Sequence, residues 1–158
     1  MARIILVGKA ASGKDHLRKR FENRGFKYAV SYTTRPPRPG EVEGVDYIFI
    51  SEEKFAEMIE KDEWYEWVSF NGWKYGTSRK QFEEDDLFIM TPGGIAHVSA
   101  DDRRKSFIIY LDVDQEKRRK RLEQRIMPGD SVERRIIADE EDFKDFTNYD
   151  IRITNDDF

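Results

Sequence analysis

The sequence predicts an α/β domain with a mainly parallel sheet in three layers, and two observations predict it. Four short runs rich in aliphatic and β-branched residues are typical of buried strands, and helical segments lie between them. Strands that alternate with helices favour a parallel sheet with helices on its faces. The first run, "RIILV" (Arg3–Val7), passes into a glycine-containing loop and then a helix. This order of strand, loop and helix is the start of such a domain.

The bulk composition is that of one globular domain. The chain has 158 residues, and Lys+Arg 28 against Asp+Glu 32 leaves a formal net charge of −4, which argues against the basic field of a nucleic-acid-binding protein. The absence of cysteine excludes disulfides and thiolate metal sites, and His16 and His97 are too few to favour a zinc site. The apolar run near the N-terminus is too short for a signal sequence or membrane span, so the expected location is the cytoplasm.

The first half of the chain predicts two helices and a long irregular loop. In "DHLRKRFENRG", Leu17 and Phe21 share a helical face. The three prolines and two glycines of "SYTTRPPRPGEVEGVDY" (31–47) predict no regular structure, and a loop of this length in a compact domain is usually functional or disordered. "SEEKFAEMIEKD" predicts an amphipathic helix with Phe55 and Ile59 on one face.

The second half predicts a hairpin, further strands and two long helices. Asn71-Gly72 between aromatic-rich runs is a strong hairpin signal. "DLFIMT" and "SFIIYLDV" indicate buried strands with a turn and a short helix between them. "DQEKRRKRLEQR" and "SVERRIIADEEDFKDF" predict helices separated by "MPGDS", and "YDIRIT" (149–154) predicts a last strand with Ile151 and Ile153 on one face.

The loop after the first strand matches most of a phosphate-binding loop. Gly8, Gly13 and Lys14 have the spacing of G-x-x-x-x-G-K-[ST], between a predicted strand and a predicted helix. Glycines let backbone N–H groups turn toward phosphate oxygens, and the helix N-terminus adds partial positive charge. We expect an ATP site with Lys14 on the β- and γ-phosphates; a turn without a ligand is the alternative. The expected ATP-binding residues here are Gly8, Lys9, Ala10, Ala11, Ser12, Gly13, Lys14 and Asp15.

Asp15 stands where this motif has a serine or threonine. The hydroxyl of that residue ligates Mg²⁺ in phosphate-transferring proteins. A carboxylate also offers an oxygen to Mg²⁺, directly or through water, although it brings negative charge close to the phosphates. It equally suits the first turn of a helix, with Mg²⁺ held by waters. Both interpretations of Asp15 stay open, and Mg²⁺ with ATP is the expected cofactor pair.

The segment "TTRPPRPGE" predicts a second phosphate site. It places Arg35 and Arg38 three residues apart on a proline-stiffened loop. Guanidinium groups bind phosphate bidentately, and a stiff loop lowers the entropy cost of holding them in place. Two arginines on one loop fit a phosphate monoester; a solvated basic turn is the alternative.

Taken in order, the phosphate loop, "SYTTRPPRPGEVEGVDYIF" and "EWVSFNGWKYGTS" resemble guanylate kinase, from the first strand to the final "TND". The resemblance implies a P-loop NTPase fold with a small β-rich GMP-binding subdomain and an arginine-rich lid. Glu66 would accept hydrogen bonds from the N1–H and N2–H₂ edge of guanine, while packing in the hairpin is the alternative for Tyr75 and Trp67. The implied GMP-binding residues are Ser31, Arg35, Arg38, Tyr47, Glu66, Tyr75, Thr77 and Thr91.

The arginine-rich stretch "RRKRLEQR" admits a nucleic-acid patch, a solvated helix face, or arginines that stabilise charge in phosphoryl transfer. The resemblance implies the last: Arg121 and Arg125 reach the ATP phosphates, Arg135 bridges donor and acceptor, and Asn155 lies near adenine. The residues expected to carry the transfer are Lys14, Arg38, Arg121, Arg125 and Arg135. The remaining basic residues of this helix are expected on the surface: Lys117, Arg118, Arg119 and Lys120.

Three features depart from the family pattern, and Asp15 is the first. In "FIMTPGG", Ile89 and Thr91 stand where guanylate kinases typically have an aspartate pair, one of which contacts the acceptor. Guanine selectivity is therefore in question, although Thr91 still offers a hydroxyl. The chain also ends after the last strand, where family members usually continue into a helix, and this indicates a compact, phage-like version.

These departures define the alternatives. Ribose 1,5-bisphosphate phosphokinase also carries "SGKD" and lacks the aspartate pair, but it lacks the "TTRPPRPGE" block that this chain keeps. A broader deoxynucleotide kinase is another alternative. A non-catalytic guanylate-kinase-like protein-binding module is a third, but such modules usually have a damaged phosphate loop, whereas Lys14 is intact here.

The sequence therefore predicts a nucleoside monophosphate kinase that transfers the γ-phosphoryl group of ATP to GMP or dGMP. The expected organisation is one domain over residues 1–158, with a core of 1–31 and 86–158, a lid at about 121–135 and a GMP-binding subdomain at about 32–85. The expected partners are small molecules, without nucleic acid or membrane, and the expected state is a monomer or homodimer.

Overall fold

The computed structural model describes residues 2–125 and 131–155, and its strands form two separate sheets. The strands of the first sheet are β1 (Arg3–Gly8), β6 (Leu87–Ile89), β7 (Ser106–Leu111) and β8 (Ile151–Ile153). They lie in the order β6-β1-β7-β8, and every pair is parallel. The strands of the second sheet are β2 (Tyr32–Thr33), β3 (Ile48–Phe49), β4 (Trp64–Phe70) and β5 (Trp73–Ser78). Their order is β3-β2-β5-β4, with β2 parallel to β3 and the other pairs antiparallel.

Alternate residues of the parallel sheet pack against different hydrophobic clusters. Ile5 and Val7 of β1 belong to one cluster with Tyr110 of β7, whereas Leu6 packs in another cluster with Ile109. Because successive side chains of a strand point to opposite faces, both faces of this sheet are covered. The described helices are α1 (Lys14–Glu22), α2 (Glu52–Glu60), α3 (Arg79–Glu84), α4 (Pro92–Ile95), α5 (Ala100–Arg104), α6 (Gln115–Arg125) and α7 (Val132–Phe143). The predicted α/β architecture is confirmed.

Side-chain caps start five of the described helices. In each case a hydroxyl accepts a hydrogen bond from the backbone N–H three residues later, as is typical of an N-cap. The capping residues are Ser51 for α2, Ser78 for α3, Thr91 for α4, Ser99 for α5 and Ser131 for α7. Helix α1 differs, since its N-cap is Gly13 in the left-handed conformation (φ 96°) without a side-chain cap.

The hairpin prediction is confirmed and has a clear backbone cause. Strands β4 and β5 pair antiparallel around Asn71 and Gly72, both of which have positive φ angles, 53° and 86°. This is the conformation of a type I′ turn, whose twist matches that of the flanking strands. At Gly76 of β5, an added Cβ would lie 2.7 Å from a ring atom of Trp64, so only glycine lets this ring pack flat on the sheet.

Four local expectations differ from the structure. Tyr32–Thr33 forms a strand within the segment predicted to be irregular, because β5 provides a pairing partner. Helix α3 was not predicted, since it spans only Arg79–Glu84. The buried partner of Phe55 in α2 is Met58, while Ile59 is 38% exposed. Arg118, expected on the surface, is 1% exposed, because its guanidinium is enclosed between the Val113 carbonyl and Asp139 of α7.

Within the described ranges 2–125 and 131–155, no helix combines the length and the apolar character that crossing a membrane requires.

Candidate nucleotide-binding site

A cavity of about 630 Å³ opens between the carboxyl end of the parallel sheet and the mixed sheet. Ligand sites of open α/β sheets occur at this end of the strands. The cavity brings together most residues predicted to form the site: Gly8, Ala10, Ala11, Ser12, Gly13, Lys14, Asp15, Ser31, Arg35, Arg38, Tyr47, Glu66, Tyr75, Thr91, Arg121, Arg125 and Arg135. Three predicted site residues lie outside its lining: Lys9, Thr77 and Asn155.

The phosphate loop has a backbone that requires small residues. A Cβ at Gly8 would lie 2.5 Å from the Ser12 hydroxyl and 2.8 Å from the Leu111 carbonyl, so a larger residue has no room. Ala11 has a φ of 62°, a left-handed conformation that strains a residue with a Cβ. The Lys14 ammonium donates to the carbonyls of Gly8 and Lys9 and therefore lies inside the curve of the loop.

Electrostatics in the loop favour an anionic ligand. Burial lowers the pKa of Lys14, and the nearby carboxylates of Asp139 and Asp15 partly offset that effect. Helix α1 begins here without a side-chain cap, so its first N–H groups and its partial positive charge are directed at the cavity. This combination of a buried cation and an uncapped helix N-terminus suits phosphate.

At the opposite end of the cavity, Arg35 forms a two-point ion pair with Glu41. The Arg35 Nη1 and Nη2 atoms lie 2.9 and 2.8 Å from the two Glu41 oxygens, and the arginine is 4% exposed. Glu41 also accepts from the Arg38 backbone N–H at 2.7 Å. Partial burial acts to raise the pKa of Glu41, but the hydrogen bonds from Arg35 and Arg38 outweigh it, so the pKa lies below its usual value. Glu41 thus fixes both arginines of the loop, a role that sequence analysis missed although Glu41 lies three residues after Arg38.

Two tyrosines complete this end of the cavity. The rings of Tyr47 and Tyr75 lie 6.0 Å apart, and the Arg35 guanidinium lies 5.1 Å from the centre of the Tyr47 ring. Burial raises the pKa of Tyr47 to about 12 and also raises that of Tyr75. Both hydroxyls therefore stay protonated at neutral pH and can donate hydrogen bonds to an anion.

Glu66 of β4 is a buried carboxyl that faces the cavity. It is 6% exposed and accepts a hydrogen bond of 2.7 Å from the Thr77 hydroxyl, which holds it from behind. Burial raises the pKa of Glu66 to about 7. A Cβ at Gly94 would lie 2.6 Å from Glu66 Oε2, so only glycine allows α4 to approach this closely. The hydroxyl of Thr91, predicted as a ligand, accepts from the Gly94 N–H at 3.0 Å as the cap of α4.

The predicted lid contributes three arginines to the cavity lining: Arg121, Arg125 and Arg135. Arg121 Nη1 donates to the Ala11 carbonyl at 2.9 Å, so α6 contacts the phosphate loop directly. From α7, Arg134 donates to the Asn71 side chain at the tip of the hairpin at 3.0 Å. Part of the predicted lid, residues 126–130, lies outside the described residues.

Asp15 lines the cavity with a carboxylate, a group whose oxygens can ligate Mg²⁺. Its carboxylate is 77% exposed at the start of α1, and one oxygen lies 3.4 Å from Arg18 Nε. No cluster of three or more carboxylate or imidazole groups able to hold a metal occurs in the described part of the chain. Mg²⁺ commonly uses one or two carboxylates together with substrate phosphates and water, and Asp15 fits that pattern.

Two of the three residues missing from the lining of the large cavity, Lys9 and Asn155, lie at or next to a smaller cavity. This smaller cavity of about 400 Å³ is lined by Lys9 and by Thr154, and Asn155 follows Thr154 directly. The phosphate loop therefore contributes residues to both cavities, Lys9 to the smaller one and its neighbours to the larger one. Sequence analysis also missed Asp139 of α7, whose Oδ2 accepts from the Ala10 backbone N–H at 3.0 Å.

Known proteins resemble this chain over nearly all of its length. The family described as guanylate kinase matches residues 1–158. A guanylate kinase of Geobacter sulfurreducens is 37% identical over 84% of this chain and 69% of its own length. One from Nostoc sp. is 35% identical over 98% of this chain and 82% of its own length. The crystal structure of guanylate kinase from Anaplasma phagocytophilum has the same fold, with a TM-score of 0.77 at 24% identity over 99% of this chain and 77% of that one.

Proposed function

The chain belongs to the guanylate kinase family, and from that premise we propose that it transfers the γ-phosphoryl group of ATP to GMP or dGMP. The products are ADP and GDP or dGDP. One observation carries the proposal: a phosphate loop with a half-buried lysine shares a cavity with a two-arginine loop and a buried carboxyl. These are the features that a donor triphosphate, an acceptor phosphate and a guanine base need.

The acceptor nucleotide binds at the end of the cavity formed by the mixed sheet. Arg35 and Arg38, together with the hydroxyls of Tyr47 and Tyr75, hold its phosphate, which suits their charge and protonation. Ser31 and Thr91 contribute hydroxyls at the same wall. The base faces Glu66, whose carboxylate accepts from the N1–H and N2–H₂ edge of guanine while Thr77 orients it.

The donor nucleotide binds at the phosphate loop. Residues from Gly8 to Asp15 surround its phosphates, and Lys9 and Asn155 lie toward the adenosine through the smaller cavity. Lys14, Arg121, Arg125 and Arg135 line the space between donor and acceptor, where negative charge spreads in the transition state. The acceptor phosphate oxygen is already ionised, so no general base is required. Lys14, Arg38 and these three arginines thus act by in-line positioning and charge stabilisation.

Asp15 would hold Mg²⁺ together with the donor phosphates, as its exposed carboxylate at the loop allows. When bound, Mg²⁺ neutralises phosphate charge and orients the β- and γ-oxygens. The test is Asp15→Ser, assayed against Mg²⁺ concentration. If the carboxylate is a ligand, the Mg²⁺ concentration that gives half-maximal activity should change in this variant. An unchanged concentration would exclude the carboxylate as a ligand.

The organisation that we propose follows from this arrangement. Residues 1–31 and 86–158 form the nucleotide-binding core, about 121–135 form the lid, and about 32–85 form the GMP-binding subdomain, within one domain of 158 residues. The substrates ATP and GMP favour a cytoplasmic location. The protein works as a monomer or homodimer on small molecules, without nucleic acid or membrane.

The experiment that tests the proposed function is an acceptor screen. Purified protein with ATP and Mg²⁺ is expected to form ADP rapidly with GMP or dGMP and slowly with AMP, CMP or UMP. Equal rates on all acceptors would favour the broader deoxynucleotide kinase. Turnover of ribose 1,5-bisphosphate would favour that phosphokinase, and GMP binding without turnover would favour a binding module. The whole-chain family match does not favour these alternatives.

A further inference from the structure

A buried pair of opposite charges, Arg118 and Asp139, contacts the phosphate loop through its acid. Arg118 of α6 is 1% exposed and Asp139 of α7 is 5% exposed, with Nη1 and Oδ2 3.8 Å apart. Arg118 Nε donates to the Val113 carbonyl at 3.0 Å, while Nη1 has no hydrogen-bond partner in the described residues. Buried charges of this kind are costly unless they are paired. A pair in this position therefore needs an explanation other than fold stability.

The second contact of Asp139 is with the loop itself. The same Oδ2 atom accepts a hydrogen bond from the Ala10 N–H at 3.0 Å. The next acid on α7, Glu140, accepts from the Lys9 ammonium at 2.9 Å. Two consecutive acids of α7 thus hold two consecutive residues of the loop, from more than a hundred residues away along the chain.

The Ala10 N–H is held by Asp139, whereas the neighbouring carbonyls of Lys9 and Ala11 accept from Lys14 and Arg121. Residues 9–13 are neither helix nor strand, and Ala11 has a strained φ of 62°. A hydrogen bond to a carboxylate is stronger than one to a neutral acceptor, and the low dielectric of the interior strengthens it further. Burial raises the pKa of Asp139, while the Ala10 N–H, the Lys14 ammonium and the Arg118 guanidinium each act against that rise. Arg118, with Nη1 3.8 Å from the carboxylate, is thus its buried counter-charge on α6.

We propose that Asp139 is a positioning residue for the donor nucleotide, with Arg118 as its counter-charge. By binding the Ala10 N–H, the carboxylate fixes the first half of the loop before nucleotide arrives. The later N–H groups and the Lys14 ammonium are then already arranged around the space for the phosphates. This inference rests on the proposed donor role of the loop, and it adds a long-range determinant of ATP affinity that the loop sequence does not contain.

The test compares four proteins by calorimetric titration of ATP without acceptor, together with thermal unfolding. Asp139→Asn keeps an oxygen acceptor for the Ala10 N–H but removes the charge. The double variant Arg118→Leu/Asp139→Leu removes both buried charges, and replacing a buried ion pair with apolar groups is often neutral for stability. Asp145→Asn, at an exposed aspartate just after α7, is the matched control. Wild-type turnover with GMP is measured separately, so failure of the proposed function is distinguishable.

The proposal expects the double variant to unfold within a few degrees of wild type while its Kd for ATP rises about tenfold or more, the loss expected for one charged hydrogen bond. Asp139→Asn should raise this Kd about threefold, because a neutral acceptor remains. Asp145→Asn should leave it unchanged, and the Kd for GMP should stay constant in all four proteins.

Two outcomes would overturn the proposal. A stable double variant that binds ATP as tightly as wild type would make the pair a structural element only. Tighter ATP binding by Asp139→Asn would mean that the main effect of the carboxylate is to repel the negatively charged phosphates of ATP. If the double variant fails to fold, Asp139→Asn decides alone, and an unchanged Kd for ATP then contradicts the inference.

Discussion

The two ends of the cavity are built in different ways. At the acceptor end, the main contact joins Arg35 to Glu41, six residues apart on one loop. At the donor end, the loop is held by contacts that span 129 residues, from Ala10 to Asp139, and 110 residues, from Ala11 to Arg121. The main contact of the acceptor end is thus local in sequence, whereas the donor end depends on contacts of α6 and α7 with the phosphate loop. Substitutions should therefore affect the two substrates separately.

The largest expected effect is the loss of the cation at the donor end. Lys14→Ala should lower kcat about a hundredfold or more, because the buried ammonium lies where the transferred phosphoryl group becomes charged. The KM for GMP should change little, since Lys14 lies outside the Arg35–Glu41 loop. Steady-state kinetics measure both values, with Lys80→Ala on the exposed face of α3 as the control. A large rise in the KM for GMP would contradict the separation of the two ends.

Breaking the acceptor end comes next in size. Glu41→Gln loses a charged partner of Arg35 and should raise the KM for GMP about tenfold or more, the effect of one charged hydrogen bond. The KM for ATP should stay within about twofold, as expected for distant sites. Glu60→Gln on the exposed side of α2 is the matched control. An unchanged KM for GMP would show that Glu41 does not position the arginines.

Titration of Glu66 should make the KM for GMP depend on pH, without a matching effect on the KM for ATP. Its pKa of about 7 means that the carboxyl is protonated below that pH and loses one of the two oxygens that accept from guanine. The KM for GMP should therefore rise as the pH falls through about 7 and level off about tenfold or more higher, the effect of one charged hydrogen bond, while the KM for ATP follows a flatter profile. In Glu66→Gln the KM for GMP should be high at every pH. Because residue 66 no longer titrates in this variant, its pH profile also shows how much of the change comes from the phosphate of GMP. Identical slopes in both proteins would refute the role of Glu66.

The smallest expected effect concerns strain in the loop. Ala11→Gly should stabilise the protein by up to about 1 kcal/mol, because glycine adopts the observed φ of 62° without strain although it gains entropy when unfolded. Asn71→Gly in the hairpin turn, with a φ of 53°, is a matched comparison away from the donor site. Denaturant unfolding measures both. A clear loss of stability in Ala11→Gly would mean that the methyl group makes a contact that outweighs the strain.

The contrast between local contacts at the acceptor end and long-range contacts at the donor end also determines how much of the site the sequence could predict. Arg35, Arg38 and the hairpin turn at Asn71-Gly72 lie in short segments whose chemistry is visible in consecutive letters. Glu41 was visible in the same segment, but its pairing with Arg35 was not, because an acid in a loop is usually solvated. Arg118 in a run of basic residues gave no signal of burial, since only the packing of α6 on α7 encloses it.

Asp139 could not be found from local pattern for a related reason. It stands in "ADEED", where four acids follow one another, and only Asp139 among them accepts a hydrogen bond from the loop backbone. Which acid takes that position depends on the rotation of α7, which is set by apolar contacts such as those of Ile136 and Phe143. Long-range placement of this kind follows from tertiary packing, not from the helical period alone.

The most direct test of the two-ended account is an initial-rate matrix in which ATP and GMP are both varied, for Glu41→Gln and for Arg121→Lys. Arg121 contacts the Ala11 carbonyl, so its variant should raise the KM for ATP about tenfold and leave that for GMP within about twofold. Glu41→Gln should show the reverse. If both KM values rise together in both variants, the donor and acceptor ends are not independently built and the account is contradicted.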